Sequence, residues 1–130
     1  MNGRKWKNLG LIVVAIFIIG GVLIYNRLSE NLELLVNEPV RSVDFSKMDD
    51  GNYEGEYNSF PVTVKLNVEI RDHRVMNINI LEHQNGKGSP AEIITDEIIE
   101  EQSLDVDIVS GATYSSKVIL KAVEDALTKK

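Results

Sequence analysis

Residues 62–80 read Val62-Thr63-Val64-Lys65-Leu66-Asn67-Val68-Glu69-Ile70-Arg71-Asp72-His73-Arg74-Val75-Met76-Asn77-Ile78-Asn79-Ile80. Val62, Val64, Leu66, Val68 and Ile70 alternate with Thr63, Lys65, Asn67 and Glu69. That period of two lets a strand bury one face. Met76, Ile78 and Ile80 alternate with Asn77 and Asn79 on the return. Arg71-Asp72-His73-Arg74 joins the two runs, so they are expected to pair as an antiparallel hairpin.

Upstream, Asp49-Asp50-Gly51 is a turn signal, and Tyr53 and Tyr57 begin a further strand. Downstream, residues 84–88 form a loop with two glycines. Ser89-Pro90 then reads as an N-cap and first helical residue. Ile93, Ile94 and Ile98 share an apolar face, with Glu92, Asp96, Glu97 and Glu100 outside. Residues 104–108 read as a short strand. Val118, Ile119, Ala122, Val123, Ala126 and Leu127 keep the spacing of a core-facing helix. The expected class is α+β, a mostly antiparallel sheet packed with two helices and preceded by one N-terminal transmembrane helix.

That first helix rests on residues 9–25, which are 17 apolar or glycine residues without a charge. This is the short end of what spans a bilayer. Arg4, Lys5 and Lys7 precede the run, and only Arg27 follows closely. The positive-inside rule then keeps the N-terminus in the cytoplasm and sends the rest to the extracytoplasmic side. A cleaved signal would have a shorter apolar region ending in small residues. Here Gly20 and Gly21 lie inside the run, and Leu23-Ile24-Tyr25-Asn26 offers no such site, so an uncleaved anchor is expected. Residues 28–36 read as a separate short helix capped by Ser29 and stopped by Asn37-Glu38-Pro39. The chain divides into a basic tip and anchor at 1–25, a stalk at 26–42 and a domain at 43–130.

The 130 residues include no cysteine. Disulfides, thiolate metal sites and thiol redox chemistry are excluded, so any redox role needs a bound cofactor. Residues 26–130 hold 11 basic and 20 acidic residues, a net −9. That balance argues against nucleic acid or anionic lipid as a partner, and keeping the domain soluble explains it simply. There is no G-x-S-x-G elbow and no H-E-x-x-H helix. Asp105 and Asp107 could form a carboxylate dyad, but solvated surface aspartates are the plainer account.

Residues 107–116 read Asp107-Ile108-Val109-Ser110-Gly111-Ala112-Thr113-Tyr114-Ser115-Ser116. A hydroxyl-rich turn opening a helix gathers backbone N–H groups and the positive end of the helix dipole, which suits an anion. Gly111 and Ala112 leave the backbone bare for a bulky ligand. The plain alternative is a capped turn, since Ser and Thr are common N-caps. Asp107-x-x-Ser110-Gly111-Ala112-Thr113 closely resembles the flavinylation motif of the FMN-binding domain family. That family includes flavin-bearing subunits of ion-pumping redox complexes and extracellular flavin electron carriers. Asp50-Gly51-x-Tyr53-x-Gly55 resembles its opening strand and residues 62–80 its hairpin. Leu81-Glu82-His83 followed by Gly86-x-Gly88 resembles its loop into the first helix, and residues 118–127 resemble its closing helix.

The resemblance implies FMN as cofactor, joined to Thr113 by a phosphoester. Ser110, Gly111, Ala112, Tyr114, Ser115 and Ser116 would surround the attachment. A flavin transferase, using FAD as donor and dependent on Mg²⁺, would read Asp107 with the Ser110–Thr113 string. His83 resembles a histidine near the flavin in several members, and Gly86 and Gly88 would let backbone approach the ring. A surface histidine and ordinary turn glycines remain the alternatives there. Gln84-Asn85 departs from the acid-threonine pair expected at that place. The expected function is a membrane-anchored electron carrier rather than a substrate-converting enzyme. It would take electrons from a membrane dehydrogenase or quinol and pass them to another flavoprotein or an external acceptor. The other readings are an interaction or sensory module that keeps the fold, or an accessory subunit of a larger membrane redox complex.

Overall fold

The computed structural model describes residues 3–84 and 89–129. Its first element, α1 (Gly3–Asn37), is one unbroken helix of 35 residues, about 52 Å long at 1.5 Å per residue. It is long and apolar enough to cross a membrane. The expected break between anchor and stalk is absent, because no proline or turn pair interrupts the chain before Pro39. Leu28, Leu32 and Leu35 recur at helical spacing near its end, and Leu35 is buried against the rest of the protein. The stalk is therefore packed onto the domain.

After a 3-10 turn at Phe45–Lys47 come β1 (Gly51–Ser59), β2 (Val62–Arg71) and β3 (Arg74–Gln84), in the order β1-β2-β3 and antiparallel throughout. The alternation in β2 is realised: Val62, Val64, Leu66, Val68 and Ile70 are all buried. The β2–β3 turn is tighter than four residues. Arg71 pairs with Arg74, leaving Asp72 (φ 50°) and His73 (φ 59°) as the two-residue loop. Two successive positive φ values are what a type I′ hairpin requires.

β3 departs from simple alternation at two bulges. Val75 pairs with Ile70 and Asn77 with Glu69, so Met76 is the extra residue and stands 54 % exposed. Val75 takes the inward place expected for Met76. Ile80 pairs with Leu66 and Glu82 with Lys65, so Leu81 is the second extra residue. Each bulge resets which face the following side chains occupy. The second one brings His83 opposite the buried Val64.

A 3-10 turn (Ser89–Ile93) leads into α2 (Ile94–Glu101). Ala91, Ile94 and Ile98 are buried, whereas Ile93 is exposed, because the 3-10 geometry rotates it off the face it would share in an α-helix. Gln102 ends α2 with a left-handed backbone, φ 50°. Its side-chain oxygen accepts the Val75 N–H at 2.9 Å and its amide nitrogen donates to the Val75 carbonyl at 2.8 Å. A side chain thus takes the place of a neighbouring strand on the free edge of β3. Residues 104–108 join no ladder among the described residues, correcting the expected strand.

The last helix, α3 (Thr113–Thr128), begins five residues before the apolar spacing that announced it. It packs across β1 and β2 and is buried nearly all round, from Ser115 to Leu127 with only Asp125 partly open. At Gly55 of β1 the approach is so close that an added Cβ would lie 2.6 Å from the Ala126 nitrogen and 2.7 Å from its Cβ. The core is the layer between this helix and the sheet, closed by Leu35, Phe45, Ala91, Ile94, Ile98 and Leu104.

Candidate functional site

The Asp107–Ser116 stretch folds as a turn that delivers the chain into α3. The Ala112 N–H donates to the Val109 carbonyl at 3.0 Å, and Gly111 has φ +79°. That is the position of a type II turn that demands a positive φ. No atom lies within 4 Å of where a Gly111 Cβ would be, so the glycine is fixed by backbone conformation and its surroundings are open. Ala112 turns inward and is buried.

Thr113 follows as the first residue of α3, with its side chain exposed. No side chain caps this helix end. Its first N–H groups and dipole therefore point outward beside the Thr113 hydroxyl. Ser110 and Gly111 are at the surface. Ser115 and Ser116 lie one turn deeper and are buried. Ser116 Oγ accepts the N–H of Val109 at 3.1 Å, tying the helix back to the residue that starts the turn. Tyr114 is half-buried; burial, then the nearby Glu33 carboxylate of α1, hold its hydroxyl pKa above the ordinary value.

Asp107 is exposed beside an open acidic hollow of about 310 Å³ that it shares with Glu97, Glu100, Glu101 and Asp105. His83 does not lie at the surface. Its side chain is 3 % exposed and its Nδ1 lies 2.8 Å from Glu92 Oε1. Glu92 belongs to the 3-10 turn before α2, which packs against α3. Gly86 and Gly88 lie outside the described residues. Tyr53 and Tyr57 pack against the core from β1.

Beyond Thr113, the outer face of α3 carries groups the sequence reading passed over. Thr113, Lys117, Lys121 and Thr128, with Glu124, recur at spacings of three, four and seven on the side away from the sheet. Such a stripe ordinarily marks a solvated face. Here residues 38–42 and 104–108 cross over it, and Lys117, Lys121 and Glu124 are buried. Lys121 Nζ lies 3.0 Å from Glu38 Oε1 and 3.1 Å from Glu124 Oε2. The Tyr57 hydroxyl donates to Glu38 Oε2 at 2.8 Å, and the Arg41 N–H donates to Glu124 Oε2 at 3.0 Å. The end of α1, β1 and α3 are thus joined by one polar network. The hydrogen bond from Lys121, then that from Tyr57, hold the Glu38 carboxyl below the ordinary carboxylate range. Burial alone would lower the Lys121 pKa, but its bonds to Glu38 and Glu124 outweigh this and raise it.

Lys117 is different. It stands one turn after Thr113, is 9 % exposed, and has no ion-pair or hydrogen-bond partner among the described residues. It lines a groove of about 420 Å³ with Pro39, Val40, Leu104, Ile108 and Leu120 among its walls. An exposed hydroxyl at an uncapped helix head suits a phosphate group.

Residues 57–128 match the family model described as FMN-binding domain. A protein of Treponema pallidum (strain Nichols), described as uncharacterized, is 32 % identical over 85 residues. The alignment covers 63 % of this chain and 24 % of that relative, so the chain spans about a quarter of the relative's length.

Proposed function

The chain belongs to the FMN-binding domain family and its cofactor is FMN, and on that premise we propose that it is a membrane-anchored, extracytoplasmic electron carrier with its flavin esterified to Thr113. The observation that carries this reading is the exposed Thr113 hydroxyl at the uncapped head of α3, within the Ser110-Gly111-Ala112-Thr113 string. FMN supplies one- and two-electron chemistry when bound; the protein supplies attachment and position. In the attachment step, Thr113 Oγ1 bonds to the flavin-side phosphorus of FAD. The pyrophosphate bond breaks, AMP leaves, and the threonine proton passes to a base on the flavin transferase. Asp107, exposed six residues earlier, is available for that Mg²⁺-dependent enzyme to read.

The position suits exchange with a membrane donor such as a dehydrogenase or a quinol, and delivery to another flavoprotein or an external acceptor. Tyr114, next to the tether, is within electrostatic reach of Glu33 on α1. Glu33 is eight residues beyond Tyr25, about 12 Å along the helix axis from the end of the apolar run. Arg4, Lys5 and Lys7 favour a cytoplasmic N-terminus.

Co-expression with a flavin transferase, followed by denaturing electrophoresis and illumination, tests the tether. A fluorescent band is expected from the wild-type chain. Thr113→Ser keeps a hydroxyl and retains the fluorescence; Thr113→Val loses it. A dark wild-type band beside an active transferase overturns the proposal.

A further inference from the structure

The contacts among α1, α3 and β1 fix which end of the domain lies toward the anchor. From the last turns of α1 onward, Glu33 is within electrostatic reach of Tyr114, Glu38 pairs with Lys121 and Arg41 pairs with Glu124. The numbers rise together, so the two segments run parallel and α3 begins at the anchor end. β1 runs the other way: Gly55 abuts Ala122 and Ala126, whereas Tyr57 meets Lys121 and Glu38. The β1–β2 turn at Phe60 and Pro61 is therefore the leading point of the sheet toward the anchor. The β2–β3 turn at Asp72 and His73 stands at the opposite end.

The two tips differ in chemistry. Arg71, Asp72, His73 and Arg74 make the far tip charged. No charged side chain lies between Glu56 and Lys65, and Phe60 is 68 % exposed at the middle of that stretch. One exposed apolar residue needs no explanation by itself, but its place does. Glu38 lies 13 residues past Tyr25, about 20 Å along α1, and Phe60 lies three residues past Tyr57, up to about 10 Å back toward the apolar run. Phe60 thus stands about 10 Å from the level at which that run ends. The headgroup layer of a bilayer fills roughly 6 Å of this gap. The length of the phenyl side chain and an ordinary helix tilt of about 20° cover the rest.

We infer that the β1–β2 turn is a second membrane contact, with Phe60 entering the extracytoplasmic headgroup layer of the bilayer that α1 crosses. The inference rests on the membrane-anchored reading of α1 given above. Aromatic rings are favoured in that layer, and an uncharged tip on an otherwise acidic domain fits a zwitterionic lipid surface. With α1 and Phe60 both engaged, the domain does not pivot on its anchor.

The chain holds one tryptophan, Trp6, just before the apolar run. The full chain is reconstituted in phosphatidylcholine vesicles with and without a nitroxide near the headgroup, and tryptophan emission is read. Two further chains replace Trp6 by Phe and carry either Phe60→Trp or Met76→Trp. Phe60 and Met76 are both exposed, so neither exchange disturbs the core, and Met76 lies beside the far turn. The nitroxide is expected to diminish the emission of the wild-type chain and of the Phe60→Trp chain to a similar extent, and to leave that of the Met76→Trp chain unchanged. Loss in the wild-type chain without loss in the Phe60→Trp chain overturns the inference and leaves the anchor standing. No loss even in the wild-type chain overturns the anchor, and the inference with it. Equal loss in all three chains also overturns the inference, because the whole domain would then lie on the lipid rather than touch it at one tip.

Discussion

Ser116 Oγ accepts the N–H of Val109 at 3.1 Å, so a serine buried in the first turn of α3 holds the far end of the turn that presents Thr113. Ser116→Ala leaves the Val109 N–H without this acceptor. A half-buried lost hydrogen bond costs about 1 kcal/mol, enough to lower the melting temperature of a domain this size by roughly 4–8 °C. Calorimetry on the full chain checks the first effect. Because the turn also places Thr113, slower flavinylation by the transferase is expected alongside it. Unchanged melting with unchanged flavinylation would show that the turn is held by other contacts.

Gly55 sets the distance between sheet and closing helix. An added Cβ would overlap the Ala122 carbonyl and come within 2.6 Å of the Ala126 nitrogen, both backbone atoms that no rotamer change can move. Restricting a glycine elsewhere gains up to about 1 kcal/mol through the unfolded chain, but overpacking against backbone costs about 3 kcal/mol or more, so destabilisation wins. Gly55→Ala is expected to lower the unfolding free energy by about that amount, read as a lower urea midpoint. A midpoint equal to that of the wild-type chain would mean that α3 can slide away from β1.

The elements that were legible in the sequence are those whose side-chain period is undisturbed. Val62 to Ile70 alternate without fault and form the central strand. Val118 to Leu127 keep the helical period and face the sheet. Where the period misled, a local device intervened. The bulges at Met76 and Leu81 exchange the faces of β3, and nothing in a run of apolar and polar letters marks an unpaired residue. Ile93 moved outward with the 3-10 turn. Residues 104–108 alternate like a strand, yet join no ladder among the described residues. The candidate site divides in the same way. Its turn was legible because Ser110, Gly111, Ala112 and Thr113 are contiguous. Lys117, Lys121 and Glu124 were not, because their burial depends on segments some 80 residues and some 10 residues upstream folding over one helix face. His83 read more readily as a surface histidine, and the bulge before it turns its ring inward.

The Glu38–Lys121 pair predicts how stability follows pH. Glu38 has a folded pKa below its unfolded one, with the Lys121 hydrogen bond as the largest cause and the Tyr57 bond next. Its contribution is therefore complete above the ordinary carboxylate range and lost as pH falls through the lowered folded value. Lys121 has a folded pKa above its unfolded one, so its contribution is complete below the ordinary lysine range and lost as pH rises through the raised value. Glu38→Gln removes the acidic limb and leaves Lys121 with Glu124 alone. Melting temperatures of the wild-type chain and the variant are expected to differ at neutral pH and to converge in acid, below the carboxylate range. The Glu38 side chain is partly open to solvent, so added salt is expected to narrow the neutral-pH difference. A difference that stays constant down through the carboxylate range would show that Glu38 contributes packing alone, and that the joint between α1 and α3 does not depend on its charge.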